Sequence, residues 1–288
     1  MNPAGFDYYR AKSVDEAHRL LKAHPGAKLL AGGHSLIPLM KLRLSRPPAV
    51  VDIGKVAELS GITLKGDTLR IGALTTHAEL SSSADVRKAA PALAEAAAMV
   101  GDQAVRNRGT IGGNVAHADP ASDLPTVLVA ADARLVAIGP SGERTIEAGK
   151  FFKGLMETAL TEDEVLTTVL VPAVKAGEGT AYAKFSHPAS RYAVIGAAAS
   201  VTVRDGTCQS ARVAVGGLVP RATRASSVES ALSGQKLSAE SIEKAAEKVG
   251  GDLGGDVLGD IYASADYRRA MAAVFVRRAI AAAADRAR

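Results

Sequence analysis

The chain has 288 residues and a mass of 29.5 kDa, enough for about two domains, so a peptide-sized scaffold is excluded. It is 47% apolar and 23% charged with 12 prolines, which excludes a disordered chain, and its net charge of +5 is scattered among acids, which argues against a nucleic-acid groove. The single cysteine, Cys208, excludes an intrachain disulfide and any iron–sulfur cluster or cysteine-type zinc site made by this chain alone.

Residues 1–10 lack the basic-then-apolar order of a secretion signal, and no run of about 18 apolar residues occurs, so a cytoplasmic protein without a membrane span is expected. Ser13-Val14-Asp15-Glu16 predicts a capping box and a helix through Lys22, with Val14, Ala17, Leu20 and Leu21 inward and a stop at His24-Pro25-Gly26. Lys28 to Ala31 reads as a short buried strand running into Gly32-Gly33-His34-Ser35, then a helix over Leu36 to Leu42. Arg46-Pro47-Pro48 breaks the chain before a strand at Ala49 to Ile53.

Between Ile62 and Leu74 two strands flank a hairpin turn at Lys65-Gly66-Asp67. Thr76-His77-Ala78-Glu79 is a second capping box, and an alanine-rich helix is predicted over Pro91 to Met99. Gly101 to Arg108 is polar, Thr110-Ile111-Gly112-Gly113-Asn114 reads as another glycine turn, and Ser122 is placed to cap a helix through Ala130. Strands follow at Arg134 to Ile138 and Val165 to Val171, and Pro172 to Gly179 is the expected domain boundary.

Beyond it come three β-prone runs, Thr180 to Phe185, Ala193 to Val203 and Ala211 to Leu218, with Asp205-Gly206 as a hairpin turn. Helices are predicted at about Arg224 to Leu232, Ser238 to Val249 and Ala265 to Arg286. Strands thus segregate from helices, as in an α+β fold. Arg268, Arg269, Arg277 and Arg278 are expected on a solvated or partner-facing edge of the last helix, and Cys208 is expected to pack within a strand.

The two double-glycine motifs suit a diphosphate. Glycine lets backbone approach an anion without a Cβ in the way and lets successive N–H groups converge on it; Ser35 and Asn114 add side-chain donors. There is no Gly-x-Gly-x-x-Gly after a strand, no Walker A spacing and no Gly-x-Ser-x-Gly elbow, and the six histidines form no helical zinc pair. No catalytic nucleophile and no metal ligand set is therefore predicted.

Ala31 to Pro38, Leu42 to Pro47, Arg106 to Asn114 and Ala118 to Pro125 resemble the medium, FAD-binding subunit of molybdenum hydroxylases, the carbon monoxide dehydrogenase and xanthine dehydrogenase family. The likeness extends through the closing Tyr267 to Arg278 segment. It implies a two-subdomain FAD-binding fold of the PCMH type, similar to vanillyl-alcohol oxidase, plus a C-terminal antiparallel sheet with helices. The implied boundaries are residues 1–55, 56–175 and 176–288, the last with three strands. Non-covalent FAD is implied, its pyrophosphate wrapped by Ala31, Gly32, Gly33, His34, Ser35 and Leu36 from one side and by Thr110, Ile111, Gly112, Gly113 and Asn114 from the other.

The resemblance also makes Asp123 a hydrogen-bonding partner of the cofactor's sugar or phosphate-proximal region, Leu166 a backbone contact and Lys184 a flavin contact. His117 and Tyr192, beside matched motifs, are candidates to touch the flavin ring. The implied partners are a large subunit with the molybdenum–molybdopterin cofactor and a small subunit with two [2Fe–2S] clusters, in a dimer of heterotrimers. In that assembly this chain is an electron-transfer flavoprotein, and the molybdenum subunit selects the substrate: carbon monoxide, an aldehyde, a purine or other N-heterocycle, or an acyl thioester. The alternative is a stand-alone flavin oxidase of a small alcohol or amine.

Overall fold

Three β-sheets, each dressed with helices, and one small hairpin build the chain in a computed structural model that describes residues 2–287. Met1 and Arg288, which the expected first and last units include, lie outside the described residues. The first sheet is parallel, in the order β1 (Asp7–Arg10), β3 (Ala49–Asp52), β2 (Lys28–Leu30). Helix α1 (Val14–Ala23) packs on it through Val14, Ala17 and Leu21, and α2 (Leu36–Lys41) follows β2 across the loop 31–35. Ser13 caps α1 by accepting the Glu16 amide at 3.1 Å. The reciprocal arm differs from expectation, because Glu16 accepts from the Lys12 amide.

The second sheet is antiparallel, in the order β4-β5-β10-β6-β7, formed by β4 (Ile62–Lys65), β5 (Thr68–Gly72), β6 (Arg134–Gly139), β7 (Gly142–Glu147) and β10 (Val165–Pro172). Two short strands, β8 (Phe152–Gly154) and β9 (Glu157–Thr158), make a separate hairpin. Between β5 and β6 run α3 (His77–Ser82), α4 (Ala84–Ala89), α5 (Pro91–Met99), α6 (Gln103–Arg106), α7 (Ile111–His117) and α8 (Asp123–Ala130), and α9 (Ala148–Phe151) follows β7. Thr76 and Glu79 form the expected reciprocal cap of α3. Thr110 to Asn114 is not a turn as expected: Thr110 is the N-cap of α7, its hydroxyl accepting the Gly113 amide at 3.2 Å, so both glycines begin a helix.

The third sheet is antiparallel, β11 (Glu178–Ser186), β12 (Ala193–Arg204), β13 (Thr207–Gly216) and β14 (Thr223–Arg224) in that order. It has four strands rather than the expected three, because two residues after a loop add an edge to β13. Asp205 (φ 51°) and Gly206 (φ 72°) make the tight turn the Asp-Gly pair predicts. Helices α10 (Ser226–Leu232), α11 (Ala239–Ala246), α12 (Val249–Asp252) and α13 (Ala265–Arg286) follow.

Nine consecutive residues of β12, from Ala193 to Val201, are buried, because helices cover both faces of the strand. Ala197, Ala199 and Val201 join the core of α13, while Ala198 faces the core of α5 and α8. Small side chains let these layers approach: a Cβ on Gly179 would lie 2.0 Å from the Ala283 carbonyl oxygen of α13. Arg268 departs from the solvated edge predicted for it. It is 5% exposed, donates to the carbonyls of Val194, Gly217 and Ala263, and pairs with Asp260. Its four partners satisfy a guanidinium that burial would otherwise penalise. Cys208 is fully buried in β13. Among the described residues, no helix is long and apolar enough to cross a membrane.

Candidate functional site

A cleft of about 1090 Å³ opens where the three sheets meet. The first unit contributes Leu30 to Leu36, the second contributes Thr110, Gly112 to Asn114, His117 and Leu166, and the third contributes Ser190 to Tyr192. The two glycine motifs, about eighty residues apart in sequence, abut in space. A Cβ on Gly32 would lie 2.1 Å from the Arg108 carbonyl oxygen, and one on Gly113 would lie 3.8 Å from Ala31 Cβ.

The backbone of the first motif is open to a ligand. The amides of Gly32, Gly33, His34 and Ser35 have no backbone acceptor among the described residues, and the Ser35 hydroxyl makes no capping bond. Gly33 has φ +78°, the left-handed value that turns the chain here, and His34 Nδ1 steadies the turn by donating to the Gly32 carbonyl at 3.1 Å. Such a run of free N–H groups is an anion cradle. In the second motif the Ile111 and Gly112 amides are already taken by Thr75 and Ala73 carbonyls, while Gly113 is solvent-exposed on the cleft side. Asn114 Nδ2 donates to Ser122 Oγ at 3.1 Å, and its Oδ1 is buried with no partner among the described residues. An orphaned acceptor on a cleft wall is what a bound ligand's donor satisfies.

A buried polar cluster backs the cleft wall at Asp123, with Tyr182 and Lys184 behind it. Tyr182 Oη donates to Asp123 Oδ1 at 2.7 Å, and Lys184 Nζ donates to Asp123 Oδ2 at 2.9 Å and to the Met99 carbonyl at 3.2 Å. The Lys184 and Asp123 side chains are 1% and 5% exposed. Burial pushes the Asp123 carboxyl up, against the Lys184 ammonium and the Tyr182 hydroxyl, which favour its charged form. Burial, then the Asp123 charge, hold the Tyr182 hydroxyl well above its ordinary value, so it remains a donor. Gly196 makes room for this ring: a Cβ there would lie 2.6 Å from Tyr182 Oη.

Of the residues predicted for the site, Ala31 to Leu36, Thr110, Gly112 to Asn114, His117, Asp123, Leu166 and Tyr192 line the cleft. Ile111 is buried beneath it, and the Lys184 ammonium is turned to Asp123 rather than into the cleft. His117 stands at the last position of α7, which ends because Ala118 takes a left-handed φ of 51°. Leu166 precedes a register shift in the pairing of β10 with β6, and the Thr167 carbonyl released there accepts the Ala73 amide. Of the six left-handed non-glycine positions among the described residues, Met156 (φ 54°) and Arg191 (φ 60°) line the cleft.

Sequence reasoning missed His77. It was legible only as the second residue of a capping box, yet its ring lines the cleft against Gly109, and its Nδ1 is buried without a partner among the described residues. Burial, then the His34 and Arg106 charges, depress its pKa from 6.5 to about 4. The folded state therefore resists protonation that the unfolded chain accepts. Stability contributed here is intact above pH 6.5 and falls by up to about 3 kcal/mol as pH drops to about 4. Chemical denaturation at pH 7 and pH 4.5 checks this: His77→Asn should lose less stability on acidification than the unsubstituted chain, and an equal loss would exclude His77 as the source.

Two α/β lobes and a covering sheet around a glycine-lined cleft with free amides define a two-lobed protein with a site for a phosphate-bearing ligand. Residues 4–174 match the family described as FAD binding domain in molybdopterin dehydrogenase, and residues 180–283 match the CO dehydrogenase flavoprotein C-terminal domain. The chain belongs to this family, the FAD-binding medium subunits of molybdenum hydroxylases, whose members are oxidoreductase subunits. It is 41% identical over 284 residues to the carbon monoxide dehydrogenase medium chain of Hydrogenophaga pseudoflava, covering 98% of each. It is 40% identical to the 6-hydroxypseudooxynicotine dehydrogenase complex subunit alpha of Paenarthrobacter nicotinovorans, covering 100% of this chain and 97% of that one. A solved structure of carbon monoxide dehydrogenase from Hydrogenophaga pseudoflava superposes with a TM-score of 0.96 at 42% identity, covering 99% of both chains.

Proposed function

We propose that this chain receives electrons from [2Fe–2S] clusters on a small partner subunit and passes them through non-covalent FAD to an external acceptor. A large molybdopterin-bearing subunit oxidises the substrate, and the assembly is a dimer of heterotrimers. Within the chain, residues 1–55 and 56–175 are the two FAD-binding subdomains and residues 176–288 the C-terminal domain. The observation that carries this reading is the meeting of the two glycine motifs on one cleft, with Gly32 packed directly on the Arg108 carbonyl.

FAD, when bound, exchanges electrons singly with clusters and in pairs with an acceptor. The chain's residues hold and shield it. The free amides of Gly32 to Ser35 receive the diphosphate, the exposed face of Gly113 lets it approach α7, and Asn114 Oδ1 accepts from the ligand. The Asp123–Lys184 pair acts from behind, fixing α8 to β11 so that the wall keeps its shape. His117 and Tyr192 border the opening, and Leu166 offers backbone where β10 is irregular. None of these side chains is required to act as acid or nucleophile.

Purification of the chain followed by denaturation should release an equimolar yellow flavin. A colourless protein that takes up no FAD on incubation would overturn the reading.

A further inference from the structure

The junction of the two glycine motifs rests on a histidine. His77, the first residue of α3, is 3% exposed and lines the cleft beside Gly109. Its backbone is fixed, because its amide donates to the Gly109 carbonyl at 3.0 Å and the Thr76–Glu79 cap holds the start of the helix. Gly109 also carries the first motif: a Cβ on Gly32 would lie 3.0 Å from Gly109 Cα. Gly109 thus joins the imidazole to Gly32, where the run of free amides begins.

The two ring nitrogens differ. Nδ1 is sealed from solvent with no partner among the described residues. Nε2 lies on the edge beside Gly109, and the missing side chain there leaves it room: a Cβ on Gly109 would lie 2.9 Å from Cδ2 and 3.0 Å from Nε2. A buried polar ring without a partner on a cleft wall is what a bound ligand satisfies.

Charge at this place favours an anion. Burial, then the His34 and Arg106 charges, keep His77 neutral at pH 7, so one of its nitrogens is a hydrogen-bond donor. The Arg106 guanidinium donates to the Val100 and Gly101 carbonyls at 3.0 and 3.1 Å, both on cleft-lining residues, and has no carboxylate partner among the described residues. A neutral imidazole that meets an anion takes the tautomer whose proton faces it, here on Nε2.

We infer that His77 is a further binding residue of the cleft, its Nε2–H donating to the diphosphate that the amides of Gly32 to Ser35 receive. This deepens the reading of the cleft as an FAD site and rests on it, adding a side-chain donor that belongs to neither glycine motif.

Glutamine and asparagine separate the two nitrogens, because a Gln amide nitrogen falls near the place of Nε2 and an Asn amide nitrogen near that of Nδ1. In equilibrium dialysis of the full chain at pH 7, His77→Asn should raise the Kd for FAD by about tenfold or more, the contribution of one hydrogen bond to a charged group. His77→Gln should recover most of that loss. Unaltered affinity in His77→Asn, or no recovery in His77→Gln, would overturn the proposal. Nitrogen NMR of the unsubstituted chain gives a reading free of any substitution: with FAD bound, the His77 proton should reside on Nε2 and its resonance should move downfield. A proton on Nδ1, or an unmoved resonance at saturating FAD, would refute it. An unsubstituted chain that takes up no FAD would overturn both this assignment and the FAD reading, whereas normal uptake with unaltered variants overturns this one alone.

Discussion

Gly32→Val is expected to weaken FAD binding by about 100-fold while leaving the fold intact. A Cβ at position 32 would lie 2.1 Å from the Arg108 carbonyl oxygen and 3.0 Å from Gly109 Cα, so the loop 31–35 and the segment before α7 must separate. Overpacking of this kind costs about 1–3 kcal/mol, and the larger figure corresponds to roughly 100-fold in an equilibrium constant. The cost falls on binding because the two segments are joined at the cleft rim, whereas the cores of the three sheets lie elsewhere.

Gly113→Val should reach the same end by another route. Its Cβ meets the Thr110 hydroxyl at 2.9 Å and otherwise projects toward open cleft, so the added side chain would occupy the ligand's space. Equilibrium dialysis with FAD, together with thermal unfolding of each variant, measures both effects. Unaltered affinity in Gly32→Val would remove the first motif from the site.

The second large effect concerns the pair behind the wall. Lys184→Met leaves the Asp123 carboxylate in a site where its side chain is 5% exposed, with only the Tyr182 hydroxyl as donor. Removing one partner of a buried ion pair typically costs about 3–5 kcal/mol, because the remaining charge is uncompensated. Asp123→Asn should cost a similar amount by stranding the ammonium. The double variant should lose much less than the sum, since neither charge remains. Urea unfolding of the four proteins completes the cycle; a loss below about 1 kcal/mol in Lys184→Met would show that the pair does not hold α8 to β11.

Features determined by nearby residues were legible in the sequence. The helix at Pro91–Met99, the capping box of α3 and the turn at Asp205-Gly206 all follow from side chains within a few positions of the backbone they control. Strand β1 was not legible, because Asp7-Tyr8-Tyr9-Arg10 is mostly exposed and becomes a strand by pairing with Ala49–Asp52. Likewise β7 carries four consecutive exposed residues, Glu143 to Thr145 among them, and no apolar alternation marks it.

At the site, the two glycine motifs announced themselves through composition, but their local form did not. Thr110 to Asn114 became a helix because the Thr110 hydroxyl caps it and the Ala73 and Thr75 carbonyls anchor its first amides. The partnership of Asp123 with Tyr182 and Lys184 spans 59 and 61 positions, so no local pattern could encode it. Arg268 illustrates the same limit: a run of arginines reads as solvated until the carbonyls of Val194 and Gly217 are brought to it.

Amide hydrogen exchange of the chain with and without FAD tests the central claim most directly. Slower exchange on binding, concentrated at Gly32 to Ser35 and at Gly113 to His117, is the outcome these contacts require. Saturating FAD that leaves both segments exchanging as before, while protecting another part of the chain, would contradict it.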